Sequence, residues 1–293
     1  MMVVITIAAG EETHTMTTQY VAVFGDPVEG NPTSTMQNAA FEHAGLDWRY
    51  LDIRVRAEDL PRAMEAARLF GFGGLNCTIP HKVAVIPLLD GLEPSAEISG
   101  ACNTIVRQAD GRLIGSNTDG SGFVWSLRDK GIDPAGLDVV LLGAGGAARA
   151  VAVELALAGA RRVTVAGRNA DRRDGLVGVL ATRTETEAVG LPWAGTLAVP
   201  PCDVLVDCTP VGMGTGEAAQ ARVDVDLAAL STSTVVCDLN PETSESAFLR
   251  FAATRGHRTI DGLGMLARQG AAGFEAWTGQ PAPLEVMIRA LGG

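Results

Sequence analysis

The sequence predicts an α/β protein of two domains, on three observations. The chain has 293 residues, more than one domain of ordinary size holds. Strand-like and helix-like segments alternate from Tyr20 onward, the order expected of parallel-sheet domains. Near the middle, the apolar run LDVVLLGAGG enters a glycine turn and then an Ala-rich helical segment, the junction of a doubly wound sheet.

Composition narrows the class further. Hydrophobic residues make up 47% of the chain and charged residues 19%, enough apolar material to build a proper core. The net charge of −11 argues against nucleic acid or an anionic membrane surface as partner, while leaving room for a local basic pocket. No apolar run approaches the ~18 residues of a spanning helix. Five cysteines (Cys77, Cys102, Cys202, Cys208, Cys237) are odd in number and lack C-x-x-C spacing. That pattern fits reduced thiols in the cytoplasm better than a disulfide framework or a metal site, and no metal is expected. Residues 1–17 hold a short apolar run with no Lys or Arg before it, a poor signal peptide. They are expected to form a flexible extension upstream of a start near Met16.

Taken in order, YVAVFG (20–25) reads as a strand and TMQNAAFEHAG (35–45) as a helix. The loop between them, GDPVEGNPTSTMQ, crowds Asn31, Thr33, Ser34 and Thr35 together. Such short polar side chains either cap the following helix or face a polar ligand. WRYLDIRV (48–55) is a second strand, AEDLPRAMEAARLFG (57–71) a helix, and GGLNCTIP (73–80) a strand with its turn. In NCTIPHK, Lys82 opens a helical segment, where the macrodipole disfavours a cation. Beside an acid, such a Lys relays a proton during carbonyl reduction or alcohol oxidation, and Asp119 of GSNTDGSG is the candidate partner.

The pair Asp110-Gly111 between two short apolar runs predicts a hairpin. DGSGFVWSLRDKG (119–131) reads as a helix ended by Gly131, and the change of domain falls near Thr118 to Phe123. Residues 18–120 with 263–293 are expected to form one domain and 121–262 the other. Strands follow at RRVTVAG, DVLVDCTP and TVVCDLN, then two terminal helices, GMLARQGAAGFEAWTG and LEVMIRALGG, placed to pack back on the first domain.

At Gly143-Ala144-Gly145-Gly146-Ala147, backbone N–H groups at a helix start can approach a pyrophosphate without Cβ obstruction. Ala148 takes the place of the usual third glycine. The next strand ends at Gly167-Arg168-Asn169, where an NAD site carries an acid for the ribose 2′-OH. Arg168, followed by Arg172 and Arg173, suits a 2′-phosphate instead, so the expected cofactor is NADP(H). The turn amides Asn76, Asn103, Asn117 and Gln269 suit a polyhydroxylated ligand, whose hydroxyls need both donors and acceptors.

In order, and along nearly the whole chain from Tyr20 to Leu291, these motifs resemble the shikimate dehydrogenase family. VFGDPVEGNPTSTMQN, NCTIPHK, GACNT, SNTDG, GAGGAARA, DCTPVGM and DGLGMLARQ stand where the family has its own conserved segments. The resemblance implies an N-terminal α/β substrate domain and a Rossmann-type NADP-binding domain, with the C-terminal helices on the first. It implies reversible reduction of 3-dehydroshikimate to shikimate with NADPH, on a small-molecule substrate, by a monomer or homodimer. It implies that Lys82 and Asp119 are the catalytic pair, and that Asn76, Thr78, Asn103 and Gln269 bind substrate. Gly143, Ala144, Gly145, Gly146 and Ala147 would form the phosphate turn, and Gly167, Arg168, Asn169 and Arg172 the 2′-phosphate region. Thr209, Met213 and Gly264 would lie by the nicotinamide.

Three departures stand out. Asn31 and Thr33 fall on the two serines that bind the substrate carboxylate in the family, which leaves Ser34 and Thr35 to cap the helix. The family's D-x-x-Y-x-P segment is CDLNPETS here, without its Tyr, and N-A-T-P is DCTP, bringing in Asp207 and Cys208. The loop opens an alternative substrate: quinate, an aminoshikimate or another cyclic polyol acid. A non-catalytic ligand-binding sensor is a further alternative, disfavoured by the presence of both Lys82 and Asp119.

Overall fold

A computed structural model describes residues 18–28, 30–214, 216–240 and 245–292; the expected extension at 1–17 lies outside them. Two six-stranded sheets organise the chain. The first holds β1 (Gln19–Gly25), β2 (Trp48–Arg54), β3 (Gly74–Cys77), β4 (Gly91–Leu92), β5 (Thr104–Arg107) and β6 (Leu113–Ser116), in the order β2-β1-β3-β5-β6-β4. It is mixed: β1 runs parallel to β2 and β3, and β5 antiparallel to β3 and β6. The Asp110-Gly111 turn joins β5 to β6, with Gly111 at φ 88°. Around this sheet lie α1 (Pro32–His43), α2 (Leu60–Leu69), α3 (His81–Ala84), α4 (Pro94–Ser99) and α5 (Thr118–Asp129).

The second sheet is entirely parallel. It uses β7 (Asp138–Leu142), β8 (Arg162–Gly167) and β9 (Glu187–Pro192); β10 (Leu197–Ala198) stands apart. It continues with β11 (Val204–Asp207), while β12 (Val225–Asp226) pairs with β10, and closes with β13 (Val235–Asp238) and β14 (Arg258–Ile260). The order β14-β13-β11-β7-β8-β9 reverses direction between β7 and β11. In open α/β sheets the crevice at the carboxyl ends of such a pair is where ligands bind. Helices α6 (Gly146–Leu157), α7 (Ala170–Arg183) and α8 (Ala247–Ala253) cover its faces, which explains why Val139 to Leu142 are apolar without alternation.

The last helices, α9 (Leu263–Thr278) and α10 (Leu284–Ala290), return to the first sheet. Phe274 stacks on Phe41 of α1 at 5.4 Å between ring centroids, and Trp277 Nε1 donates to the Ile105 carbonyl at 3.0 Å. Helices α5 and α9 pass so closely that a Cβ on Gly122 would sit 2.8 Å from the Gln269 nitrogen. That approach needs glycine, and it sets the starts of both helices on one cleft.

The structure corrects one local expectation. Helix α1 begins at Pro32, whose fixed φ suits a first helical position, and Asn31 rather than Ser34 or Thr35 is its cap. Asn31 Oδ1 accepts the Thr33 N–H at 3.0 Å, while Ser34 lies within the helix and donates to the Asn31 carbonyl and the Asp52 carboxylate.

Candidate active site

The carboxyl ends of the strands open into a cleft of about 660 Å³ shared by both halves of the chain. Lys82 enters it from α3, and Asp119 from the first turn of α5. Lys82 Nζ donates to Asp119 Oδ2 at 2.6 Å, with the side chains 31% and 18% exposed. A pair this accessible can meet a ligand, and it is buried enough for its attraction to count. Asn103 Nδ2 donates to the other oxygen, Asp119 Oδ1, at 2.7 Å. Asn117 stands behind them as the cap of α5; its Oδ1 accepts the Asp119 N–H at 3.2 Å and its Nδ2 donates to the Ala101 carbonyl. It therefore fixes the acid's backbone rather than lining the cleft.

The remaining amides divide into two kinds. Asn76 lines the cleft, but its Nδ2 donates to the Asn103 carbonyl at 2.8 Å and to Thr104 Oγ1 at 3.0 Å. Its Oδ1 accepts the Tyr50 hydroxyl at 2.6 Å. Asn103 Oδ1 accepts the Thr118 N–H at 2.8 Å. These two amides form a frame that orients Asp119, with most of their hydrogen-bonding capacity used inside the protein. By contrast, the side chains of Gln269, Thr33 and Thr78 line the cleft with no hydrogen-bond partner among the described residues. Asn31 joins them with its Nδ2, since its oxygen serves as the helix cap.

Tyr50 is the residue that sequence reasoning passed over. It lies on β2, almost fully buried, and lines the cleft. Burial, with a smaller contribution from the Asp52 charge, holds its hydroxyl well above the usual phenol range, so it remains a donor to Asn76. The available signal was chemical: a Tyr in a core strand needs a partner for its O–H. In the segment that lacks the family's other Tyr, Leu239 lines the cleft.

On the opposite wall, Gly145, Gly146 and Ala147 begin α6, and Gly145 caps it without any side-chain bond. A Cβ built on Gly145 or Gly146 would meet nothing within 4 Å, so the space above the helix start is open. Gly143 turns the chain at φ +106°, where an L side chain is strained, and Ala144 follows behind the lining residues. The exposed N–H groups and the helix dipole suit an anionic pyrophosphate. Gly167 packs beneath, 3.5 Å from Ala144 Cβ if given a Cβ of its own. Arg168 and Arg172 are exposed nearby and form no ion pair among the described residues, and Arg172 lines the cleft. Arg173 is instead tied to Asp174 at 2.8 Å. Asn169 caps α7, its Oδ1 accepting the Arg172 N–H at 2.9 Å. The residues present thus fit NADP(H).

Thr209 and Met213 line the cleft between these walls. Gly264 lies outside the lining, against Ser126, and the glycine that reaches the cleft is Gly262. Two thiols, Cys77 and Cys208, also line it. Burial pushes both well above the ordinary thiol value, which leaves them protonated and unsuited to nucleophilic work. Among the described residues, no helix is long and apolar enough to cross a membrane.

Residues 23–105 match the family described as "Shikimate dehydrogenase substrate binding domain", and residues 262–291 match "Shikimate 5'-dehydrogenase C-terminal domain". The chain is similar to the shikimate dehydrogenase (NADP(+)) of Desulforamulus reducens, 42% identical over 280 residues and covering 94% of each chain. Among solved structures it is similar to the ligand-free 5-ketofructose reductase of Gluconobacter sp. strain CHM43. The identity there is 40% and the TM-score 0.90, over 94% of this chain and 99% of that one. It is also similar to shikimate 5-dehydrogenase from Thermus thermophilus in complex with NADP(H) and shikimate. That match has 33% identity and a TM-score of 0.80, over 94% and 98% of the two chains.

Proposed function

The chain belongs to the shikimate dehydrogenase family, and on that premise we propose that it is an NADP-dependent dehydrogenase interconverting 3-dehydroshikimate and shikimate. The observation that carries this reading is the Lys82–Asp119 pair, 2.6 Å apart, facing an open glycine-lined helix start across one cleft. NADPH, when bound, supplies the hydride. The first sheet with α9 and α10 serves as the substrate domain, and the parallel sheet as the cofactor domain. Lys82 hydrogen-bonds the ketone oxygen, stabilises the negative charge that develops there, and delivers the proton that makes it an alcohol. In the oxidative direction Lys82 takes that proton back. Asp119, held from its other side by Asn103, keeps the amine aimed and shares the proton load.

Gln269, Thr33, Thr78 and the Asn31 amide supply the donors and acceptors that a ring of hydroxyls requires. Gly145 to Ala147 receive the pyrophosphate, and Arg168 and Arg172 the 2′-phosphate. Five free cysteines and small-molecule partners fit a cytoplasmic enzyme, working as a monomer or homodimer.

One observation favours a second substrate. At the loop where a ring carboxylate would rest, the free groups are the neutral donors Asn31 Nδ2 and the Thr33 hydroxyl, and the cations lining the cleft are Lys82, paired with Asp119, and Arg172 of α7. A neutral polyol ketone would suit that end, and the solved relative named 5-ketofructose reductase supports this second reading. The test is an absorbance assay of NADPH formation at alkaline pH with shikimate, quinate and an aminoshikimate, and of NADPH consumption with 3-dehydroshikimate and 5-ketofructose. Turnover of shikimate with NADP supports the first reading. Turnover of 5-ketofructose alone selects the second, and no turnover with any of them removes both.

A further inference from the structure

Granting the NADP(H) site proposed above, we propose that Asp207 and Asp238 form one proton-sharing pair that positions the loops flanking the nicotinamide end of the cleft. Cofactor binding then weakens as the shared proton is lost. Asp207 ends β11 and Asp238 ends β13, and the two are register partners on neighbouring parallel strands. Their side chains therefore leave the same face of the sheet from backbones about 5 Å apart. That face is an apolar layer built with Phe248 and Leu249 of α8, and the two acids are only 1% and 2% exposed.

Each acid has one oxygen engaged and one bare. Asp207 Oδ1 accepts the Thr209 N–H at 2.8 Å, and Asp238 Oδ1 accepts the Asn240 N–H at 3.0 Å. Both Oδ2 atoms are buried without a hydrogen-bond partner among the described residues. Two bare, like-charged oxygens side by side in an apolar layer are strongly unfavourable. One proton retained by the pair removes one of the two charges from the apolar layer.

The surroundings say which acid keeps that proton. Burial, then the Asp238 charge, pushes Asp207 up to about 7. Hydrogen bonds from Thr209 oppose that rise in Asp207, and those from Ser246 and Asn240 oppose the rise that burial gives Asp238, which carries no added like-charge push. The other titratable groups coupled to the pair are the thiols of Cys208 and Cys237, which lie on the opposite face of the sheet and are both held protonated by burial. Arg258 of β14 acts on Cys237, and no cation among the described residues contributes to the shift of either acid. Asp207 is thus the member that keeps its proton below a pH of about 7.

The link to function is the pair of loops. Thr209, Pro210 and Met213 follow Asp207, Leu239 follows Asp238, and all four line the cleft. Asn240 Nδ2 donates to the Gly212 carbonyl at 3.0 Å and so ties one loop to the other. Loss of the shared proton places two charges at the root of this tie. The sequence at this point, DCTP, has an acid where the resembled pattern has Asn, an amide that donates without titrating.

The test compares the parent protein with Asp207→Asn and Asp238→Asn by NADPH fluorescence titration and thermal unfolding from pH 5.5 to 8.5. The parent's Kd is expected to rise at least threefold more than that of Asp207→Asn as pH passes through about 7. Its stability should fall over the same rise: an acid raised in the folded state is fully accommodated below its unfolded value near 4, and the benefit is lost through its folded value. Asp207→Asn should lack that fall. Should Asp207→Asn not fold, Asp238→Asn, which removes the same like charge from the other side, carries the comparison. NADPH binding with superimposable pH profiles in parent and variants overturns this proposal alone. Absence of NADPH binding at every pH overturns it together with the cofactor reading.

Discussion

Lys82 and Asp119 meet at 2.6 Å although they lie on separate helices, and neither side chain holds that geometry by itself. Asp119 is fixed twice from behind, through its backbone N–H by the Asn117 cap and through Oδ1 by Asn103. Asn103 is in turn held by the Thr118 N–H, and Asn76 by Tyr50 and Thr104. The proposed catalytic pair is thus the exposed end of a buried polar frame. Such networks hold a unique geometry when every member is satisfied, and lose it when one is removed.

The first prediction concerns that frame. Tyr50→Phe removes the donor to Asn76 Oδ1 within the core. Urea unfolding should show a loss of about 1–3 kcal/mol, the usual result of leaving a buried acceptor unpaired. Unchanged stability would mean that the hydroxyl is not holding the amide.

A second prediction separates folding from cofactor binding. Gly145 has an extended backbone (φ −84°, ψ −170°) that valine adopts readily, and a Cβ there meets no protein atom within 4 Å. Gly145→Val should keep the parent's melting temperature while weakening NADPH binding by more than about tenfold, because the side chain fills the pyrophosphate space. Unaltered binding would place the phosphates elsewhere.

The third prediction addresses cofactor choice. Arg168→Ala and Arg172→Ala should each lower kcat/KM for NADP by about tenfold or more and leave that for NAD nearly unchanged, since only NADP carries the 2′-phosphate. Equal losses with both cofactors would move the two arginines from phosphate recognition to general structure.

Much of this arrangement is legible in the sequence because it is local. The apolar strand β7, its glycine turn and α6 are contiguous, and the chemistry of a phosphate turn constrains each position. Lys82 and Asp119 stand out by residue type and by their place at element ends. The parts that escape are those set by distant neighbours. Which groups satisfy Asn76 and Asn103 depends on Tyr50, Thr104 and Thr118, brought together only by the sheet. The sequence therefore singles out the amides that line the cleft but not the neighbours that hold them. The α1 cap shifted to Asn31 because Pro32 starts the helix earlier than the hydrophobic pattern does. Gly262 and Gly264 are equivalent by composition, and only the course of α9 decides which one reaches the cleft. Strand β9 carries Gly190 and Pro192, residues that weaken a strand signal and fit its place at the sheet edge.

The most direct measurement of the central claim is steady-state kinetics of Lys82→Ala, with NADP and the turned-over substrate both varied to saturation. If Lys82 handles the proton that accompanies hydride transfer, kcat falls by about 10²–10⁴ while KM for the substrate changes little. A variant that retains the parent's kcat and shows only a raised KM would contradict the account, leaving Lys82 as a binding group and the proton without its carrier.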